Sequence, residues 1–245
     1  MRTKLLFLIF FFAFIATSFA SPGEKAPLLK KRSAEEVVNR AAENFMKIKD
    51  ASADIVLDWN LYFFGCSGLR RFKGHGYFKS PDKIQAELEK VNYYFIGNRM
   101  RKVDEKGKRF YVRLVNSLDF SPGYNPRLIP HNFTLSILKE DAEDIAIEGT
   151  PKPGVLKNVT KVVFHIDPKE YLLRSLDLTL ADKRFSGSIK VDYQKIDGIW
   201  VPVGFKGRSA IEIRSNSLAA LDISLRGENF KINPGLPDKI FEPGF

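Results

Sequence analysis

The feature that most constrains the fold is a regular alternation of apolar and polar side chains between Thr160 and Arg226. Successive side chains of a β-strand point to opposite faces, so each alternating run predicts a strand with one apolar face and one wet face. The polar connections between the runs are short, whereas parallel strands need a crossover of about a dozen residues. The stretch therefore predicts at least four antiparallel strands in one curved sheet, with an inward apolar set of Leu176, Leu178, Leu180, Ile189, Val191, Leu221 and Ile223.

The segment from Ser33 to Lys49 predicts a helix that lies on this sheet. Ser33 and Glu36 form a capping-box pair at its start. Apolar side chains then recur at helical spacing, and the charged side chains fall on the opposite face. The apolar set is Val37, Ala41, Phe45 and Ile48, and the outward set is Glu35, Arg40, Glu43 and Lys47.

Two further runs predict a hairpin that follows this helix. We expect the first strand at Asp54–Phe64 and the second at Leu69–Lys79, joined by a turn at residues 65–68. Glycines on either side of His75 predict a sharp bend or bulge in the second strand. The far end of the first strand is apolar on both faces, and the inward set of that strand is Ile55, Leu57 and Trp59.

The middle of the chain is less regular. His131–Asp144 has apolar residues at helical spacing and is predicted as a short helix, and Ile145–Glu148 as a strand. The residues from Asn229 to Phe241 predict a tucked tail. The whole pattern predicts a mainly β, α+β fold with about ten or eleven strands, arranged as an unclosed β-barrel, or half-barrel, with helices covering its concave apolar face.

Residues 1–20 have the parts of a secretory signal peptide. Arg2 and Lys4 form a positive start, Leu5–Ala16 is an uncharged apolar run, and Ser18 and Ala20 supply small residues where a signal peptidase cuts. The apolar run is shorter than the roughly 20 residues that span a bilayer. We therefore expect cleavage after Ala20 and an exported protein with one domain, residues 21–245.

The net charge indicates which classes of partner are expected, and the cysteine content excludes an intramolecular disulfide. Lys and Arg number 39 against 29 Asp and Glu, a net charge of +10. This balance favours attraction to anionic membrane surfaces or acidic partners, but no nucleic-acid motif is present, so nucleic acid is not a predicted partner. Cys66 is the single cysteine, so no intramolecular disulfide can form. We expect its thiol to be a small core group.

The sequence lacks the constellations that carry chemistry. We find no nucleophile elbow, no zinc-ligand spacing, no phosphate-binding glycine loop and no dinucleotide fingerprint. His165 and Asp167 share a strand face, but no nucleophile accompanies them. No catalytic residue, metal ligand or cofactor is therefore predicted, and a non-enzyme is favoured over an uncharacterised hydrolase.

Three stretches carry a resemblance to a known family. They are the helix Ser33–Lys49 with the strand Ala53–Asn60, the hairpin sequence Gly76–Ile84, and the closing Asn229–Phe241. In this order, after a signal peptide, they resemble the LolA-type outer-membrane lipoprotein carriers. The resemblance implies a periplasmic carrier that holds acyl chains of a lipoprotein, or of a related acylated lipid, between sheet and helices. It also implies an inner-membrane transporter and an outer-membrane acceptor as partners.

One departure from the family pattern concerns gating. Members of the family carry arginine directly before the proline of the second hairpin, where it is linked to lid closure, whereas this chain has Ser80 after Lys79. Adjacent strand positions point to opposite faces, so Lys79 cannot inherit the inward geometry. Lysine also lacks the planar fork of arginine. The resemblance thus points to Lys79 and Ser80 as the lid position, with a lid that closes weakly.

A second class of function fits the same elements. RseB-type regulators use a related half-barrel as a periplasmic binding sensor that restrains a protein partner. Those regulators carry an additional domain, for which the residues after the signal peptide leave little room. The carrier is therefore the leading prediction and the sensor the alternative.

Overall fold

The computed structural model describes residues 32–63, 66–96, 99–104, 109–113, 126–155, 159–181, 185–214 and 217–242. Within these ranges, thirteen strands form one antiparallel sheet. The strands are β1 (Asp50–Phe63), β2 (Cys66–Lys79), β3 (Lys83–Leu88), β4 (Val91–Ile96), β5 (Arg99–Asp104), β6 (Arg109–Arg113), β7 (Phe133–Glu140), β8 (Ile145–Pro151), β9 (Val159–Ile166), β10 (Leu173–Leu180), β11 (Phe185–Ile196), β12 (Ile199–Arg214) and β13 (Ser217–Ile232).

The sheet consists of two meanders that meet at one central pair. β1 to β6 wind outward to one edge, and β7 to β13 wind from the other edge back to β1. The pair β1–β13 joins them, with Leu57 opposite Leu225 and Trp59 opposite Ile223. β6 and β7 remain as edges, so the part of the sheet described here is not closed. The predicted half-barrel is confirmed.

The main helix, α1 (Ala34–Phe45), lies against the concave face of this sheet. The Ser33 hydroxyl accepts the Glu36 N–H at 3.0 Å, as the capping pattern predicts. The predicted apolar set is buried and the predicted charged set is exposed. The helix ends at Phe45 and not at Lys49, because the chain turns there towards β1. The Asn233 side-chain oxygen accepts the Lys49 N–H at 2.7 Å and fixes that turn.

Three short helical segments complete the described fold. They are α2 (Ile129–Asn132) and two 3₁₀ helices, Pro126–Leu128 and Asp238–Phe241. The last of them packs on the β3–β4 side of the sheet with Phe241 fully buried, so this part of the tail is tucked as predicted, whereas residues 229–232 belong to strand β13 and not to the tail. Among the described residues, no helix has the length and apolar character needed to cross a membrane.

The prediction of a helix over His131–Asp144 is wrong. Only a single turn, α2, ends at Asn132, and Phe133–Glu140 is strand β7. Phe133 and Ile137 fit a helical spacing of four, but Leu135 between them lies on the same apolar side, which is the period of a strand. With β7 and the five strands that the stretch Thr160–Arg226 spans, the sheet has more strands than the ten or eleven expected.

The β1–β2 hairpin also differs from its prediction. β2 begins at Cys66, which pairs with Phe63, so Cys66 to Gly68 form a strand and not a turn. Residues 64 and 65 lie outside the described residues. The Cys66 thiol is exposed and is therefore not a core group. The reason is position: this end of the hairpin extends beyond the residues that build the core.

The glycine-rich part of β2 marks a close backbone contact. A Cβ atom on Gly74 would lie 1.6 Å from the backbone oxygen of Glu87 in the neighbouring strand β3. No side chain could be accommodated at that distance, so glycine lets β3 approach β2 here.

Candidate functional site

The predicted inward residues lie on one face of the sheet. Seven of the ten are buried, and three are half-buried and pack against the same core as α1. The buried residues are Leu57, Leu176, Leu178, Ile189, Val191, Leu221 and Ile223, and the half-buried ones are Ile55, Trp59 and Leu180. The strand parity read from the sequence is therefore right on each of these strands; their role in holding a ligand stays a prediction.

A small apolar cavity lies where the end of α1 meets the sheet. Its volume is about 80 Å³. The Phe45 ring of α1 meets the Phe78 ring of β2 here, with centroids 5.3 Å apart. The lining residues are Phe45, Ile48, Ala51, Ser52, Ala53, Ile55, Gly76, Tyr77, Phe78, Val201, Pro202, Val203, Phe205, Leu225, Gly227 and Phe230.

Of the ten predicted ligand-binding residues, only Ile55 lines this cavity. The others form the packed apolar face beside it. Sequence reasoning missed β12, where a register shift separates Asp192 and Tyr193 in the pairing of β11 with β12. On β13 the predicted set stopped at Ile223, one strand step before the cavity wall begins at Leu225. The apolar run from Val201 to Phe205 was the available signal.

The C-terminal part of β13 closes one side of the cavity. A Cβ on Gly227 would lie 2.2 Å from the ring of Phe230. Phe230 therefore folds back over a position that only glycine leaves empty. This arrangement brings both residues to the cavity wall.

Polar contacts tie α1 to the β9–β10 turn. Arg40 donates to the Tyr171 hydroxyl at 3.1 Å, and its guanidinium lies 5.2 Å from the centre of the Tyr171 ring. Asn44 donates to the Glu170 carbonyl at 3.4 Å. These contacts fix the turn-facing side of the helix, whereas at the cavity the helix contributes the apolar ring of Phe45.

The turn itself is ordered by one carboxylate. Asp167 accepts the backbone N–H groups of Lys169 and Glu170, each at 2.8 Å, and bonds the guanidinium of Arg174. Burial by itself raises the pKa of Asp167, but these donors outweigh it, so the pKa lies below its ordinary value.

The predicted lid residues point to different neighbours. Lys79 donates to the Leu236 carbonyl at 2.8 Å and lies 3.2 Å from the Asp238 carboxylate, which Lys83 also contacts at 2.7 Å. Lys83 and Lys79 lower the pKa of Asp238. Lys79 thus holds the C-terminal segment to the hairpin. Ser80 lies under the helix exit, its Oγ 4.0 Å from the sulfur of Met46.

Two of the three histidines pair with nearby carboxylates. His165 lies 2.8 Å from Asp144 and 3.4 Å from Asp177, and His75 lies 2.7 Å from Asp54. His165 does not contact Asp167, its predicted face partner, which is held in the turn. Among the described residues, no three or more His, Cys, Asp or Glu side chains cluster so as to hold a metal ion.

Solved structures share this architecture. A DUF1329 family protein from Desulfovibrio piger superposes with a TM-score of 0.60 at 16% identity, covering 85% of this chain and 95% of its own. An outer membrane lipoprotein-sorting protein domain from Vibrio parahaemolyticus gives 0.61 at 11% identity, with 85% and 95% covered. A LolA superfamily protein from Nitrosomonas europaea gives 0.55 at 12% identity, with 86% and 98% covered.

These likenesses concern the fold. No protein-family model matches the chain. No curated protein matches its sequence. The chain nevertheless spans nearly the full length of all three structures. The protein has a LolA-like half-barrel fold.

Proposed function

We propose that this protein is an exported carrier that holds acyl chains of a lipoprotein, or of a related lipid, between α1 and the concave face of the sheet. The observation that carries the proposal is the apolar cavity under the end of α1, continuous with an apolar sheet face. Each methylene moved from water into such a site gains ~0.8 kcal/mol without any polar contact. The likeness to a lipoprotein-sorting domain supports this cargo class.

Loading requires movement, because a cavity of about 80 Å³ is well below the roughly 300–1,000 Å³ of small-molecule pockets. The contacts around α1 indicate what moves. Polar bonds hold the helix to the β9–β10 turn and its exit to Asn233. The contact of Phe45 with Phe78 is apolar. An acyl chain that separates these rings replaces one apolar contact with another.

A buried donor lies further along the same apolar face of β1 and suits the polar end of the cargo. Trp59 lies on the inward face of β1, 6.5 Å from the Phe72 ring between centroids. Its indole nitrogen is buried and has no hydrogen-bond partner among the described residues. Leaving such a donor unpaired costs about 1–3 kcal/mol. An ester or amide carbonyl of an acyl chain would satisfy it.

The exported location and the route are part of the proposal. Residues 1–20, outside the described residues, act as the signal peptide, and residues 21–245 form one periplasmic domain. The carrier takes its cargo from an inner-membrane transporter and delivers it to an outer-membrane acceptor. It performs no catalysis and binds no nucleic acid.

Mass spectrometry of organic extracts from the natively purified protein tests the proposal. We expect co-purifying acyl lipids in the wild type and their loss in Ala51→Leu, which adds side-chain volume in the cavity wall. Thr134→Leu on the exposed face of β7 is the matched control and keeps its lipid. A stable protein partner with no lipid would instead support the sensor and overturn the carrier.

A further inference from the structure

The tip of the β1–β2 hairpin exposes apolar side chains on both faces. Leu61 is 44% exposed, Tyr62 38% and Leu69 65%. Leu61 and Tyr62 are successive strand residues and point to opposite faces. Leu69 pairs with Asn60 and so lies on the same face as Tyr62. Packing against the protein's own core involves one face of the sheet, so it does not account for exposed apolar side chains on both faces of this tip.

Exposed basic side chains follow this tip along the hairpin and the neighbouring strand. Arg70 and Lys73 of β2 are exposed, and Arg226 of β13 is exposed beside β1. Arg70 adjoins Leu69, whereas Lys73 and Arg226 lie level with Val56, about 13 Å along the strand from Leu69. Two carboxylates face the same region, and both have partners: Asp58 bonds Arg71 at 2.6 Å, and Asp222 lies 3.6 Å from Arg208.

We propose that this tip docks on an anionic lipid surface and inserts shallowly into it. Apolar side chains of interfacial segments enter the boundary between headgroups and acyl chains to a depth of about 5–10 Å. Basic residues behind them meet lipid phosphates at that depth. The charge pattern favours lipid over a protein surface, because the exposed cations lie on both faces of the hairpin: Arg70 is on the face of Trp59, and Lys73 and Arg226 are on the face of Val56.

The docking position connects to the concave face. Ile55, Leu57, Trp59 and Leu61 share the inward side of β1, and exposure rises from 5% at Leu57 to 44% at Leu61. A lipid chain at the docked tip therefore meets an apolar row that leads towards the cavity wall at Ile55. This last step rests on the proposed carrier function, whereas docking itself does not.

Co-sedimentation with vesicles tests the docking. We expect binding to vesicles of phosphatidylethanolamine with phosphatidylglycerol and much weaker binding to phosphatidylcholine alone. Leu69→Asp should weaken binding about tenfold or more, and each of Arg70→Glu and Lys73→Glu about fivefold or more at low salt. The control is Leu138→Asp, since Leu138 is 55% exposed but lies on β7. All variants share the same residues before position 32, so that segment contributes equally.

Equal losses in Leu69→Asp and Leu138→Asp, or no preference for anionic vesicles, would overturn the proposal. Capture of a protein partner by the tip without vesicle binding would overturn it too. Acyl lipid in the extracts combined with no vesicle binding would leave the carrier standing and remove the docking. Vesicle binding with empty extracts would do the opposite.

The native thiol gives a second readout. Cys66 is exposed at the tip and is the chain's single cysteine, so it accepts one environment-sensitive fluorophore. We expect its emission to shift to shorter wavelength with anionic vesicles. A Cys66→Ser, Ser136→Cys variant places the same dye on the exposed face of β7 and should show no shift. Equal shifts at both positions would contradict insertion of the tip.

Discussion

The two ends of the half-barrel are built on opposite principles. At the covered end, α1 is held by polar bonds to Tyr171 and Glu170, and apolar side chains behind it are buried. At the free end, the β1–β2 tip leaves Leu61 and Leu69 exposed and places cations behind them. The difference teaches that one continuous apolar face can serve two tasks. Where hydrogen bonds hold α1 on the sheet, the apolar face is buried. At the β1–β2 tip, which α1 does not cover, apolar side chains are exposed to solvent.

The largest difference between the two ends is expected when a charge is placed on the buried apolar face. Leu178 is buried on β10. Leu178→Asp places an unpaired carboxylate in the core, and we expect a loss of about 4 kcal/mol or more in unfolding free energy. Urea denaturation measures it. Thr179→Asp, one residue on and exposed, should change stability little. Similar results for the two variants would mean that the inward assignment of this strand is wrong.

Truncation of one apolar side chain at each end should affect the free energy of unfolding very differently. Phe45 is buried against Phe78, so Phe45→Ala should lower the free energy of unfolding by about 3–5 kcal/mol. It should also raise the binding of an apolar dye, because the cavity grows. Leu69→Ala at the tip should stay within about 0.5 kcal/mol of the wild type. Thermal and urea unfolding would contradict the comparison if Leu69→Ala proved as costly.

The polar ties of the covered end predict a pH dependence. The folded-state pKa of Asp167 is depressed, so its stabilisation is present above the unfolded-state pKa of about 4 and is lost as the pH falls through the folded-state value. Asp167→Asn should cost about 2 kcal/mol at neutral pH. The difference from the wild type should shrink steadily below about pH 4.

Urea titrations at several pH values measure this dependence. Asp192→Asn, in an exposed pair with Lys206, is the control and should change little at any pH. A cost of Asp167→Asn that did not depend on pH would show that the carboxylate charge is not what orders the turn.

The smallest expected effect concerns the lid. Ser80 lies below the helix exit and offers no charged group to the last carbonyls of α1. Ser80→Arg would place a cation there, which favours the helix C-terminus. We expect apolar-dye binding without ligand to weaken about two- to fivefold. Fluorescence titration of the two proteins measures it. If Ser80→Arg binds dye as well as the wild type, the weak-lid hypothesis is wrong and this position has no gating role.

The sequence by itself determined the strand parity, the capped helix and the open antiparallel sheet. Side-chain alternation and capping are local properties, so Leu57, Leu176 and Ser33 could be placed without knowledge of their neighbours. The same local reasoning failed at Phe133–Glu140, because two apolar residues four apart satisfy the helical and the strand period equally. Only pairing with β8 decides between them.

The tertiary structure decided what no local pattern contains. The cavity joins the end of α1 to two strand pairs that are far apart in sequence, β1–β2 and β12–β13, and its walls depend on Phe230 folding over Gly227. Lys79 bonds a carbonyl 157 residues away, which no spacing predicts. The hairpin tip is exposed because it extends beyond the core. Residue type alone does not contain this information, so it wrongly predicts a buried Cys66. Contacts between residues distant in sequence determine the cavity, the bond of Lys79 to the C-terminal segment and the exposed tip, so these features appear only when the chain is folded.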